Sequence, residues 1–284
     1  MIKFTLGPAN GKMLQCLIIL KPNLHIIMQP FVFHLHPAII IFLIALSLCA
    51  GLIDTIAGGG SLITVPALLT LGFPPVFAFG TSKFQSCIGE LNASYHFCRS
   101  KKINLKTLLP GFIFVSVGSI VGTLLIQFMS NADAEKIIPW LLLCVVLYTY
   151  LSPYLQSEVT QQKISRSVFF SIFGLAIGFY NGFLGPGTGA LWVFVFMYFL
   201  GLNLVNASMH AKPLNMTGSF FSLLLFMIGS HVLYLVGLVM ATGQLIGSRL
   251  GAHFILNREL HFIRPLYLSI VTMMMFFLFV KLYG

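Results

Sequence analysis

The sequence predicts an all-α polytopic membrane protein made of two inverted-topology repeats, with about eight to ten membrane segments. Three observations carry this reading. Of 284 residues, 58% are hydrophobic and only 8% charged, and the mean hydropathy is +0.96. Soluble domains carry about a quarter charged residues, so there is too little polar surface here to coat a water-soluble globule. Long apolar runs recur along the chain. The chain also repeats itself: Gly51, Asp54, Gly58, Gly60 and Ser61 return 127 positions later as Gly178, Asn181, Gly185, Gly187 and Thr188. Gly72, Ala78, Lys83, Ser86 and Gly89 return 129 positions later as Gly201, Ala207, Lys212, Asn215 and Gly218. Gly118 and Gly122 return 125 positions on as Gly243 and Gly247. Polar, glycine-broken segments in matching halves are the signature of a secondary transporter.

Residues 1–36 read as an N-terminal extension upstream of the membrane domain, with Met28 as the expected start and no cleavable signal peptide. Lys3, Lys12, Lys21, Pro22 and Asn23 make this stretch a poor spanning helix. Repeat one occupies 37–154 and repeat two 167–284, joined by a linker at 155–166. Apolar runs fall near 38–57, 61–73, 76–98, 107–129 and 137–154, then 168–184, 188–203, 205–229, 232–255 and 265–283. Most reach the roughly 20 residues a helix needs to cross a bilayer. The runs at 61–73 and 188–203 are short and follow glycine-rich breaks, as half-helices or re-entrant arms do. Two versions stay open: these two runs stop in mid-membrane, or all ten runs cross.

Loop charges set the direction. Arg99, Lys101, Lys102 and Lys106 form the strongest basic cluster and are expected in the cytoplasm, whereas the loop with Asp133, Glu135 and Lys136 is expected outside. The corresponding loops of repeat two reverse this pattern: Gly229 to His231 carries no lysine or arginine, while Arg258 and Arg264 flank the next one. The two copies are therefore expected to lie inverted across the membrane. The net charge of +10 reads as this cytoplasmic excess and not as a nucleic-acid surface. The five cysteines (Cys16, Cys49, Cys87, Cys98 and Cys144) lie in or beside apolar runs with no Cys-x-x-Cys spacing. They read as apolar thiols, with neither a disulfide framework nor a metal site.

Within the apolar runs ionisable residues are few. Asp54 and Glu90 are the acids, and Lys83, Lys212 and Arg249 the bases. A charge at the centre of an inserted helix costs about 2.5–3.5 kcal/mol, so such residues face a cavity or pair with one another. Lys83 and Lys212 occupy matching positions, which favours the cavity over snorkelling to the interface. Arg249 lies close to a loop and suits either. Gly58, Gly59, Gly60 and Ser61, and again Gly185, Gly187 and Thr188, form turns that open helices. Glycine permits the tight path and Ser61 or Thr188 is a suitable N-cap, so each turn aims amide donors and a positive helix end inward, as an anion requires. Gly-x-x-x-Gly spacing at Gly174, Gly178 and Gly182, and at Gly243, Gly247 and Gly251, suits close helix packing. No Gly-Lys-Ser/Thr ending accompanies the turns, so ATP drive has no support. Among the scattered histidines only His210, two residues before Lys212, suits a proton path.

Residues from about 37 to 282 resemble the TauE/SafE sulfite-exporter family, also called TSUP, in its YfcA-like branch. Asp54 to Ser61, Gly80 to Gln85 and His210 to Asn215 carry the likeness. The resemblance implies a bacterial inner-membrane carrier of small sulfur-containing or carboxylate anions, coupled to protons. Asn181 departs from the pattern, standing where similar sequences often hold an acid. The expected site lies between the repeats: Gly58, Gly59, Gly60, Ser61, Lys83, Gln85, Gly185, Gly187, Thr188, Lys212 and Asn215 bind the anion, and Asp54, Glu90 or His210 exchanges a proton. No cofactor, metal, nucleic acid or enzymatic activity is expected. The rival readings are a passive anion channel, a non-transporting membrane subunit and a membrane enzyme, the last without any nucleophile–base or metal-ligand constellation to support it.

Overall fold

A computed structural model describes residues 37–100, 103–129, 140 and 161–257. The expected runs at 137–154 and 265–283, the extension 1–36, Cys16 and Cys144 lie outside the described residues. By contact the chain divides into Met1–Phe42 and Leu43–Gly284, the second holding nearly all the described packing.

The described residues form eight α-helices and one 3₁₀ turn, with no strand among them. They are α1 (Pro37–Ala57), α2 (Ser61–Thr70), α3 (Pro75–Arg99), the 3₁₀ turn Leu105–Leu108, α4 (Leu109–Phe128), α5 (Arg166–Phe183), α6 (Thr188–Leu200), α7 (Leu204–Ile228) and α8 (Tyr234–Asn257). Local chemistry starts several of them. Pro75 opens α3 at a position whose N–H has no helical partner. Ser165 caps α5 by accepting from Val168 N at 3.5 Å, and Asn203 caps α7 by accepting from Asn206 N at 2.9 Å. The helices at Pro37–Ala57, Leu105–Phe128, Leu204–Ile228 and Tyr234–Asn257 are long and apolar enough to cross a membrane. On α4 the residues Ile113, Val117, Val121 and Leu124 are exposed while Gly111, Val115, Gly118 and Gly122 are buried, so one side faces outward and the other packs.

The order long, short, long, long occurs twice, over α1–α4 and α5–α8. The two short helices have 10 and 13 residues, or about 15 and 20 Å at 1.5 Å per residue. A hydrocarbon core of about 30 Å is beyond both, which favours half-helices over full crossings. Each ends where a glycine takes positive φ, Gly72 at 91° and Gly201 at 68°.

Close glycine contacts join the first helix of each half to the last helix of the other. A Cβ on Gly51 of α1 would lie 2.6 Å from Gln244 O of α8, and one on Gly178 of α5 would lie 2.6 Å from Val115 O of α4. Gly118 packs on Leu175 and Phe179, while Gly247 packs on Leu48 and Leu52. Gly122 packs on Phe179 and Phe183, and Gly251 on Leu52 and Thr55. Gly118 therefore corresponds to Gly247 and Gly122 to Gly251, a spacing of 129 in place of the 125 expected from sequence. The reason is periodicity. Gly243, Gly247 and Gly251 repeat every four residues, about one helical turn, so two registers match equally well until a partner helix selects one.

Directions follow from the same contacts. Gly80 of α3 lies against Phe226 of α7 and Glu90 against Asn215, so these two helices run antiparallel. Along α3 and α8, Gly80 meets His231, Phe84 meets Gly237 and Asn92 meets Ser248, so this pair is parallel. Along α4 and α7, Gly111 meets Leu214 and Ser119 meets Gly218, which is parallel again. With α1 parallel to α8 and α5 parallel to α4, each of α1, α3 and α4 runs opposite to its counterpart in the second half. A buried aromatic group of Phe169, Phe170, Trp192 and Phe196 fills the space between α5 and α6.

Candidate functional site

The two glycine turns meet each other. Gly58 has φ 76° and Gly185 has φ 89°, conformations that only glycine adopts without strain. Gly58 lies against the backbone of Gly189 at the start of α6, where Ala190 N donates to Gly58 O at 3.2 Å. No side chain would fit between them. The predicted N-caps are corrected here: Gly60 and Gly187 hold the cap positions, without side-chain cap bonds, and Ser61 and Thr188 are the first helical residues. Both hydroxyls donate instead to Gly185 O, Ser61 from the other half at 3.4 Å and Thr188 from the same turn. They therefore bind the two turns together. Gly60 N donates to Asp54 Oδ1 at 3.3 Å, so a carboxylate of the protein already answers part of the positive end of α2. Gly59 lies one residue before this cap, and its carbonyl accepts from Leu62 N at 3.0 Å.

Each lysine reaches into the opposite half, to a residue in the last turn of the helix that precedes a glycine turn. Lys212 of α7 donates to Asp54 Oδ2 of α1 at 3.1 Å and to the Asp54 carbonyl. Lys83 of α3 donates to Asn181 Oδ1 of α5. Asp54 and Asn181 correspond at the spacing of 127, and the lysines at 129, so the two contacts are equivalent in place and different in charge. The Lys212–Asp54 pair is the only ion pair among the described residues. All four residues are buried.

From Asn181 a hydrogen-bond chain continues. Its Nδ2 donates to Asn215 Oδ1 at 3.3 Å and to Asn215 O at 3.2 Å, and Asn215 Nδ2 donates to Glu90 Oε1. An ammonium only donates, which turns the Asn181 carbonyl toward Lys83 and leaves its amide for Asn215. Glu90 Oε2 has no partner among the described residues. Lys83, Ser86 and Glu90 from α3, Asn181 and Gly185 from the second turn, Asn215 and Ser219 from α7, and Ser61 line one small polar cavity. Phe79, Val65, Ser82 and Leu184 complete its wall.

The structure thus gathers Asp54, Gly60, Ser61, Lys83, Glu90, Gly185, Thr188, Lys212 and Asn215 around the crossing of the turns, with Gly58 and Gly187 shaping their paths. Gly59 lies in the first turn as well, but Gln85 and His210 are not brought in. Gln85 is fully buried, but it faces away from the cavity lining and neither of its amide atoms has a partner among the described residues. His210 bonds Asn206 O at 2.7 Å and lines a separate cavity with Arg166, Thr107 and Gln162. Two residues along a helix is about 200° of rotation, which turns His210 away from the face that carries Lys212. Arg249 is exposed on α8, a snorkelling position. Asn181, Ser219, Ser86 and Ser82, the last with its hydroxyl paired to Thr64 at 2.9 Å, were not among the expected ligands. The repeat spacing signals the first two, because they match Asp54 and Glu90. Among the described residues no three His, Cys, Asp or Glu come together as metal ligands. Cys49, Cys87 and Cys98 are free thiols.

The family described as Sulfite exporter TauE/SafE matches residues 43–278. A probable membrane transporter protein of Haemophilus influenzae is 41% identical over 236 residues, covering 82% of this chain and 92% of the relative. The probable membrane transporter protein YfcA of Escherichia coli is 37% identical over 242 residues, covering 85% and 90%. YunE of Bacillus subtilis, also a probable membrane transporter protein, is 25% identical over 253 residues, covering 78% and 89%. No solved structure matches the chain.

Proposed function

The chain belongs to the sulfite exporter TauE/SafE family and is a multi-pass membrane transporter; from that premise we propose that it is a secondary carrier of a small anion in the bacterial inner membrane. The anion is sulfite, a sulfonate or a related carboxylate, and its movement is coupled to protons. The observation that carries this reading is Lys83, a buried cation in a polar cavity at the crossing of two glycine turns. A cation placed there at the cost of desolvation suits an anion that arrives by the same cavity. The antiparallel directions of α1, α3 and α4 to their counterparts support two inverted-topology repeats. Rocking one repeat against the other would then open the shared cavity to each side in turn.

Ser86 and Ser219 hydroxyls supply neutral donors beside the ammonium, while the Ser61 hydroxyl is taken by Gly185 O. Glu90 is the better proton carrier of the two buried acids, because Asp54 is engaged by Lys212 and Gly60 while Glu90 lines the cavity and its Oε2 has no hydrogen-bond partner among the described residues. An anion entering beside Glu90 is repelled by its carboxylate, and a proton on Glu90 removes that repulsion. The coupling lies in this competition.

Flux into proteoliposomes tests the assignment. Lys83→Ala/Lys212→Ala is expected to abolish sulfite uptake, and full activity in that variant overturns the pocket. An imposed pH gradient is expected to change the wild-type rate; indifference to it removes the acids from the mechanism. A passive channel would use the same positive constriction, but it predicts non-saturating flux and unitary currents.

A further inference from the structure

Resting on the anion-carrier reading, we infer that Asn181 makes the anion site one-sided: it leaves Lys83 free to bind the substrate, while Asp54 withdraws Lys212 from binding and makes it a positioning residue. The two lysines occupy equivalent places, so their partners decide what each can do. Lys212 gives N–H groups to both the carboxylate and the carbonyl of Asp54, and its charge is cancelled where it stands. Lys83 gives one N–H to an uncharged amide. An ammonium has three donors, so Lys83 keeps its charge and two donors for the cavity. Lys83 lines that cavity and Lys212 does not.

The amides also act as a spacer. Glu90 is the other ionisable group lining the cavity, and it does not contact Lys83 as an ion pair. Asn181 and Asn215 stand between them, Asn181 answering the lysine and Asn215 answering Glu90 Oε1. A carboxylate at 181 would collapse this arrangement into a second ion pair like that of Lys212. The ligand this suits is a small anion with oxygen acceptors, held by one ammonium and the hydroxyls of Ser86 and Ser219, in one copy per chain.

Sulfite binding to the detergent-purified full chain, measured by titration calorimetry, tests the inference with melting temperature as the folding control. Asn181→Asp is expected to weaken sulfite binding by roughly tenfold or more, because it sets a like charge against the anion. Should that variant fail to fold, the charge exchange Asp54→Asn/Asn181→Asp keeps the same set of charges. It is expected to retain binding and to transfer the lysine dependence: in that background Lys212→Met, and no longer Lys83→Met, abolishes it. A structural role for Asn181 would not move the site in this way. Wild-type affinity in a folded Asn181→Asp, or continued dependence on Lys83 in the exchanged background, overturns the inference. A wild type that binds no sulfite overturns the carrier reading for this anion and the inference with it; binding that survives Asn181→Asp overturns the role of Asn181 alone.

Discussion

Lys212 and Lys83 stand at corresponding positions in two similar halves, yet one is paired with the Asp54 carboxylate and the other rests against the Asn181 amide. The order of parts is the same on both sides: a long helix, a glycine turn with positive φ at Gly58 or Gly185, a short helix, and a lysine brought across from the opposite half. One atom of difference, an amide nitrogen in place of a carboxylate oxygen, changes what the lysine is available for. The first arm is electrically closed, since Asp54 also accepts from Gly60 N and so ties the turn to α7 through Lys212. The second arm opens on the cavity. The two halves hold these lysines in equivalent places, and side-chain charge separates a structural arm from the one proposed to bind.

The largest expected effect comes from breaking the closed arm. Asp54→Ala leaves Lys212 buried without a countercharge and should lower stability by about 3–5 kcal/mol, whereas Asn181→Ala removes hydrogen bonds to Lys83 and Asn215 but no countercharge and should cost about 1–3 kcal/mol. Thermal unfolding in detergent measures both, and equal losses would end the distinction between the arms. Next come the glycine crossings. Gly122→Ala should cost about 1–3 kcal/mol and exceed Gly251→Ala, because the new methyl meets only the backbone of Phe179 and Phe183 at the first site, but partly the adjustable Thr55 side chain at the second. The reverse order would break the 129-residue register. Smaller still are the hydroxyls that share Gly185 O. Ser61→Ala and Thr188→Ala should each cost about 0.5–1.5 kcal/mol, with the double variant losing more than the sum, since either hydroxyl alone still satisfies the carbonyl. A double-mutant cycle on melting curves reads this coupling. The smallest effect belongs to Arg249→Gln, which should leave the melting temperature unchanged because that side chain is exposed.

Much of the fold was legible because membrane segments announce themselves locally. The apolar runs at 38–57, 76–98 and 205–229 became α1, α3 and α7 within a few residues, and the glycine breaks fell where α2 and α6 begin. The candidate site was legible where a residue was costly or duplicated, as with Lys83, Lys212, Asp54 and Glu90. Where chemistry depended on which face of a helix a residue occupies, neighbours in sequence misled. Gln85 and His210 sit two residues from a site lysine and face elsewhere. The hydroxyls of Ser61 and Thr188 were expected to accept amides at helix starts, and the glycines before them took that position.

By itself the sequence determined the solvent, the helices and the duplication, because hydropathy, glycine and charge cost act residue by residue. Only the tertiary structure decided the register of the glycine contacts, the direction of α3 against α7 and the partner of each lysine. Those depend on residues far apart in the chain, 57 positions for Gly118 and Leu175 and 125 for Glu90 and Asn215, meeting across a helix interface, where an i to i+4 pattern fits several registers until packing selects one.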